Sequence, residues 1–195
     1  MMSMLEINKI HLDCLELMKQ IPDKSIDLVL TDPPYNINLK PQRLTDSIEN
    51  DNMSQEDFIL FIDEYFKECR RILKDDTFLI TFLGWPTIPE FRNVCDKYFD
   101  LKSMPIWVKN NFGIGYYTRP QYEPMLLYLN KPPILESPIS DVIKQDKIQV
   151  PIHSCEKPVN LYKYLLENFS KKDVVFEFVC IGQACKQLDR NFIVC

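Results

Sequence analysis

The sequence predicts an α/β domain built on a largely parallel sheet. Three observations carry that expectation. Short runs rich in β-branched and aromatic residues alternate with segments whose apolar residues recur at helical spacing. One run, TFLITFL at 77–83, is apolar almost throughout, as a central strand buried on both faces requires. The 195 residues, 46% of them hydrophobic, are enough for one sizeable core. One domain over 1–195 is therefore expected.

In chain order, MLEINKIHL (4–12) reads as a strand and CLELMKQI (14–21) as a short helix. SIDLVLT (25–31) is the next strand, and the polar, patternless stretch 36–53 is expected to be a mobile loop. Ser54, with Asp57 three residues later, caps a helix whose apolar face is Phe58, Ile62, Tyr65, Phe66, Cys69 and Leu73. The strand 77–83, a helix near 88–98 and strands over 103–109 and 124–130 follow. The proline-bearing region 131–151 reads as a surface excursion, a candidate target-recognition segment. A helix over 158–169 starts on a proline, as helices favour. The strand 174–179, a short helical stretch and NFIVC (191–195) end the chain.

Composition narrows the function. A net charge of −5 means that any nucleic-acid contact must rest on a local basic surface. There is no long apolar run and no charged-then-apolar leader, so a soluble, cytoplasmic chain without a membrane partner is expected. Seven cysteines at 14, 69, 95, 155, 180, 185 and 195 form no CxxC pair and read as reduced thiols. With only His11 and His153 present, no metal site is expected.

The first strand delivers Asp32-Pro33-Pro34-Tyr35 to its carboxyl end, where open α/β sheets bind ligands. One reading is structural: two residues without an N–H end the strand, and a tyrosine covers its edge. The other is chemical. An exocyclic amino group on a nucleobase is a poor nucleophile, because its lone pair is delocalised into the ring. A carboxylate and a backbone carbonyl can each accept one of its N–H bonds, which favours a pyramidal nitrogen. A proline-fixed carbonyl is already in place for that task. The tyrosine offers a stacking face for a base taken out of its helix.

Between Lys102 and Tyr122 lie three cations, Lys102, Lys109 and Arg119, and no carboxylate. Trp107, Phe112, Tyr116, Tyr117 and Tyr122 are interleaved, with Gly113 and Gly115 permitting a tight loop. Aromatics among cations suit base stacking and phosphate contact, although some of these rings, Trp107 first, read equally well as core.

These segments, in this order, resemble the amino-group DNA methyltransferases of the permuted beta class, adenine-N6 type. SIDLVLTDPPYNI is similar to their catalytic motif. IWVKNNFGIGYYTRPQYEPMLLYLNK (106–131) is similar to the segment that helps hold the flipped base, and HSCEKPVNLYKYLLENFS (153–170) to the segment bordering the cofactor. The likeness runs from about residue 8 to the end of the chain. It implies a Rossmann-like fold with helices on both sheet faces, S-adenosyl-L-methionine as cofactor, double-stranded DNA as partner, and homodimerisation as a common state of the class. The catalytic residues it implies are Asp32, Pro33, Pro34 and Tyr35. It places Asp13 and Cys14 at the cofactor's adenosine end, and Asp32, His153, Lys157 and Pro158 near its methionine end. Lys157 would face the cofactor carboxylate at a helix start. Ser170, Glu177, Val179 and Gly182 complete the implied cofactor set. Asn36, Lys109, Tyr116, Tyr117 and Arg119 are the implied nucleic-acid contacts.

One stretch departs from the family. After Glu177, Phe178-Val179-Cys180-Ile181 stands where the family carries a proline and glycines, and only Gly182 remains. The span to RNFI is shorter by about four residues, and Cys195 is the last residue where the family has an acid for the cofactor ribose. Two readings follow: an active adenine-N6 enzyme, or a catalytically impaired relative that serves as a DNA-binding or partner-binding subunit.

Overall fold

A computed structural model describes residues 13–38, 51–129, 138–148, 156–170, 174–177 and 182–194. The strand expected at 4–12, the polar stretch 39–50, His153 and residues 178–181 lie outside these. The first described element is α1 (Cys14–Met18), capped by Asp13, whose carboxylate accepts from the Leu15 amide at 2.8 Å. β1 (Ile26–Thr31) follows. α2 (Gln55–Ile72) starts at Ser54, whose Oγ accepts from the Asp57 amide at 3.1 Å and donates to the Asp57 carboxylate at 2.7 Å.

α2 buries Phe58, Ile62, Tyr65, Phe66, Cys69 and Ile72. Leu73, expected on that face, instead begins β2 (Leu73–Phe82). The Lys24 ammonium ends the helix there by donating to the Arg70 and Leu73 carbonyls, each at 3.1 Å. A 3-10 turn at Trp85–Thr87 leads into α3 (Ile88–Cys95).

The segment expected as one strand over 103–109 is two, β3 (Asp100–Ser103) and β4 (Ile106–Val108). The break falls at Met104-Pro105, where proline has no N–H to donate. Both pair antiparallel with β5 (Tyr122–Leu129). β6 (Val142–Lys144), inside the expected excursion, pairs parallel with β4. α4 (Val159–Phe169), β7 (Val174–Glu177), α5 (Gly182–Gln187) and β8 (Asn191–Val194) complete the order.

The strands run β6-β4-β5-β2-β1-β7-β8 across the sheet, with β3 also on β5. β2, β1, β7 and β8 form a parallel block, and β5 joins it antiparallel to β2. Period-two alternation sorts the side chains between two layers. Val29, Leu79, Leu126, Tyr128 and Phe176 pack with α1, α2 and α3. Leu28, Leu30, Phe78, Ile80, Phe82, Met125 and Leu127 pack on the opposite face with α4 and α5. The helices therefore cover both faces, as the resemblance implies.

Within the first layer the hydroxyls of Thr31 and Tyr65 share a buried hydrogen bond at 2.6 Å. Tyr65→Phe removes one partner and leaves the Thr31 hydroxyl without that bond. The expected cost is about 1–2 kcal/mol, read as a lower urea midpoint at unchanged slope.

Among the described residues no helix is long and apolar enough to cross a membrane. No group of three or more His, Cys, Asp or Glu among them is placed to hold a metal ion. Cys69, Cys95 and Cys185 are buried, whereas Cys14, expected as a reduced thiol, is disulfide-bonded.

Candidate active site

The chain leaves β1 toward β2 on one side, while β7 leads to β8 on the other. The order therefore reverses between β1 and β7, and the crevice beyond their carboxyl ends is where such sheets hold ligands. Asp32 directly follows β1, and Glu177 is the last residue of β7.

Asp32 sits in this crevice with its side chain 7% exposed. One carboxylate oxygen accepts from the Tyr35 hydroxyl, and the other is ion-paired with the ammonium of Lys157, itself 5% exposed. Lys157 stands just before α4, over the Phe82 ring at 4.5 Å. Its ammonium also lies 3.5 Å from Glu123 Oε2, while the other Glu123 oxygen accepts from Lys109. Asp32, Lys157, Glu123 and Lys109 thus form one chain of alternating charge across the ends of β1, α4, β5 and β4.

Burial pushes the Asp32 carboxyl above its ordinary value; the Lys157 charge opposes this and the Glu123 charge adds to it. Burial and the neighbouring Asp32 charge push the Tyr35 phenol well up, so Tyr35 remains a donor. At Glu123 burial acts upward too, but the Lys157 and Lys109 charges prevail and hold the carboxyl below its ordinary value.

The other expected residues fall into distinct places. Pro33 and Pro34 are buried at the end of β1. Tyr35 packs its ring against Gly84, where a Cβ would come within 3.3 Å of the ring. Asn36 adopts φ 55° and donates to the Met53 carbonyl at 3.2 Å, and its buried Oδ1 has no hydrogen-bond partner. Asp13 is engaged in capping α1. Ser170 is buried with its hydroxyl donated to the Leu166 carbonyl at 3.0 Å. Pro158 is the cap of α4, and Gly182 opens α5 against the Phe192 ring. His153, Val179 and the departing segment 178–181 lie outside the described residues.

Lys109, expected at phosphate, is turned inward on Glu123 and over Trp107 at 5.0 Å, and Trp107 is core. The loop beyond it is an ordered hairpin extension. The Lys109 amide donates to Gln121 O at 2.8 Å, the Gly113 amide to Pro120 O at 2.7 Å and Arg119 Nε to Gly113 O at 3.0 Å. Gly115 has to be glycine here, because a Cβ would fall 1.8 Å from the Thr118 carbonyl oxygen. At the tip, Tyr116 and Tyr117 are each 94% exposed and meet edge to face at 5.1 Å. Arg119 lies over Phe112 at 5.5 Å.

Sequence reasoning missed Glu123 and Phe82. The available signal was a lone carboxylate, Glu123, placed between a stretch without carboxylates and the apolar run MLLYL.

Comparison with known proteins places this geometry in context. A sequence description of DNA methylases matches residues 26–151. The chain is 32% identical over 123 residues to the DNA adenine methyltransferase YhdJ of Escherichia coli K12, covering 60% of this chain and 39% of that protein. The chain therefore matches well under half of that relative's length. Among solved structures, the complex of M1.HpyAVI with SAM superposes with a TM-score of 0.68 at 20% identity, covering 95% of this chain and 90% of that one. The cytosine-N4-specific PvuII DNA methyltransferase gives a TM-score of 0.70 at 16% identity, covering 93% and 78%. The two structures share the fold described above.

Proposed function

We propose that this chain, which belongs to the DNA methylase family of amino-group methyltransferases, transfers a methyl group from S-adenosyl-L-methionine to the N6 amino group of adenine in duplex DNA. The observation that carries the reading is the buried Asp32 carboxylate at the end of β1, directly followed by Pro33, Pro34 and Tyr35. Asp32 together with the Pro33 carbonyl accepts the two N–H bonds of the target amino group, which localises the lone pair on nitrogen. Tyr35 holds the Asp32 carboxylate by its hydroxyl and offers its ring to the extruded base. The nitrogen gains a methyl group and must lose one proton, and Asp32 Oδ2 is the nearest base for it.

The residues present suit the cofactor. A crevice at the reversal of strand order and an acid ending β7, the residue type that takes a ribose hydroxyl, suit the cofactor, while the Lys157 ammonium expected at its carboxylate is engaged by Asp32 and Glu123. S-adenosyl-L-methionine, when bound, supplies an electrophilic methyl group on a sulfonium. No covalent enzyme intermediate is required, so no cysteine is needed beside Asp32.

The choice of adenine rests on the aspartate of the Asp-Pro-Pro-Tyr motif, since cytosine-N4 relatives more often begin it with serine. The test is transfer of tritiated methyl from S-adenosyl-L-methionine to unmethylated duplex DNA, followed by chromatography of the nucleosides. N6-methyladenine supports the reading, and N4-methylcytosine assigns the chain to the specificity of its PvuII likeness. If no methyl is transferred while S-adenosyl-L-methionine fails to bind by calorimetry, the impaired-relative reading replaces it.

We also assign the hairpin tip to DNA. Tyr116, Tyr117 and Arg119 reach outward from a stretch without carboxylates, on a backbone that only glycine at 115 permits. Gly115→Ala should therefore weaken duplex binding by about 1–3 kcal/mol, the worth of one aromatic–base contact, with little change in melting temperature. Fluorescence anisotropy against labelled duplex at fixed salt measures it.

A further inference from the structure

The alternating charges around Asp32 have an arrangement that the methylation chemistry alone does not explain. Lys157 stands between two carboxylates but is not shared equally. It is ion-paired with Asp32 Oδ2 and lies 3.5 Å from Glu123 Oε2. That Glu123 oxygen is buried and holds no hydrogen bond, whereas its partner oxygen is occupied by Lys109. A buried carboxylate oxygen without a hydrogen bond is costly, so native structures rarely keep one without a use. An ammonium would have to travel only about 0.7 Å to reach the usual charge-assisted distance from it.

We propose that Glu123 is a positioning residue whose Oε2 receives the Lys157 ammonium when the target amino group takes up Asp32 Oδ2. This deepens the reading of Asp32 as the amino-group acceptor and rests on it. The physical need is clear. While Lys157 lies closer to Asp32 than to Glu123, its charge weakens the Asp32 carboxylate as an acceptor. The same charge stands beside a nitrogen that becomes positive as it is methylated, which raises the barrier. A second carboxylate within reach removes both penalties without exposing the ammonium to water. Lys109 fixes Glu123 from the far side, and the Phe82 ring under Lys157 holds the ammonium without a directional bond along the line between the two acceptors. Among the described residues, Asp32, Tyr35, Glu123 and Lys109 are among the groups that face the shared charge, with Tyr162 beyond Tyr35.

The deciding experiment does not require catalysis. Asp32→Asn removes the charge that holds Lys157, which turns the ammonium toward Glu123. In that background Glu123 is the one of these two carboxylates left to Lys157. Glu123→Gln should therefore lower the melting temperature by about 3 °C more in Asp32→Asn than in the wild type, a coupling of about 1 kcal/mol. The loss of the Lys109 contact is common to both and cancels in the difference between the two losses. Equal losses in the two backgrounds would overturn the proposal. Kinetics supply the second arm: Glu123→Gln should reduce kcat roughly tenfold to a hundredfold with the KM for duplex DNA little changed. It should also move the acid limb of the rate profile to lower pH, because one charge that raises the Asp32 carboxyl is gone. Glu123→Asp should recover part of kcat. A uniform loss with no pH displacement and no recovery by aspartate would assign Glu123 a structural role and overturn the proposal. If the wild type transfers no methyl group at all, the functional reading falls by itself, and the melting cycle still decides where Lys157 goes.

Discussion

Lys157→Met is expected to destabilise the fold by about 3–5 kcal/mol at neutral pH, the cost of removing one partner from a buried ion pair. For a chain of this size that is a fall in melting temperature of roughly 10 °C. Methionine keeps most of the lysine stem's volume over Phe82, so the loss reports charge and not a cavity. It leaves Asp32 and Glu123, two carboxylates at the crevice, without the cation between them. Their titration gives the sign of the pH dependence. Burial already raises the Asp32 carboxyl, and loss of Lys157 raises it further. A raised carboxyl binds more protons folded than unfolded, so its contribution to stability is present at low pH and lost as pH rises through the folded value. Glu123 works the other way in the wild type. Its carboxyl is held down, and the stability that this adds is lost as pH falls. Both effects shrink the difference between wild type and Lys157→Met on acidification. Urea unfolding at pH 4 and pH 8 checks this, and a difference that stays constant between the two would refute the ion-pair account. Glu123→Gln added to Lys157→Met should restore part of the loss at pH 8.

The residues legible in the sequence were those whose signal is local. α2 announces itself through its Ser54 cap and one apolar face, and β2 through an apolar run that burial on both sides explains. Asp32 could be placed because two prolines cannot continue a ladder and so mark a strand's end. What escaped was either too short or too distant. β6 has three residues and a single buried one, Ile143, which gives no period to detect. Leu73 and Ile72 both suit the helical spacing, and the helix stops between them where a distant segment meets it, through the Lys24 ammonium on the Arg70 and Leu73 carbonyls and the pairing of Leu73 with Ile26. The pairing of Lys157 with Asp32 spans 125 positions and depends on β1, α4 and β5 meeting at one edge. No composition rule reaches that far. Lys109 shows the same limit in reverse: a cation among aromatics suggests phosphate, while the fold gives it a carboxylate across the β4–β5 ladder.

Asp32→Asn is expected to reduce methyl transfer by about a hundredfold to a thousandfold while leaving the fold in place, an effect the size of removing one preorganised group from the reacting atoms. The substitution changes no heavy-atom shape, so the crevice keeps its form. It changes what faces the target nitrogen. An ionised aspartate only accepts, and its two oxygens serve the Tyr35 hydroxyl, Lys157 and the incoming N–H together. Asparagine keeps one acceptor and turns an NH₂ toward the remaining partner, so with Oδ1 on Tyr35 it meets Lys157 or the target amino group as donor against donor. The nitrogen then keeps its lone pair in the ring, and its departing proton loses its nearest base. Cofactor binding should survive, because a neutral amide costs less to bury than the carboxylate that burial already disfavours. Single-turnover transfer of tritiated methyl, run beside calorimetric titration with S-adenosyl-L-methionine, separates the two effects. The pH profile adds a further sign. Wild-type transfer should fall on the acid side as Asp32 takes up a proton, whereas the residual rate of Asp32→Asn should lack that limb. A variant that binds cofactor normally and transfers methyl at the wild-type rate would remove Asp32 from the chemistry and, with it, the reason for a carboxylate at the mouth of β1.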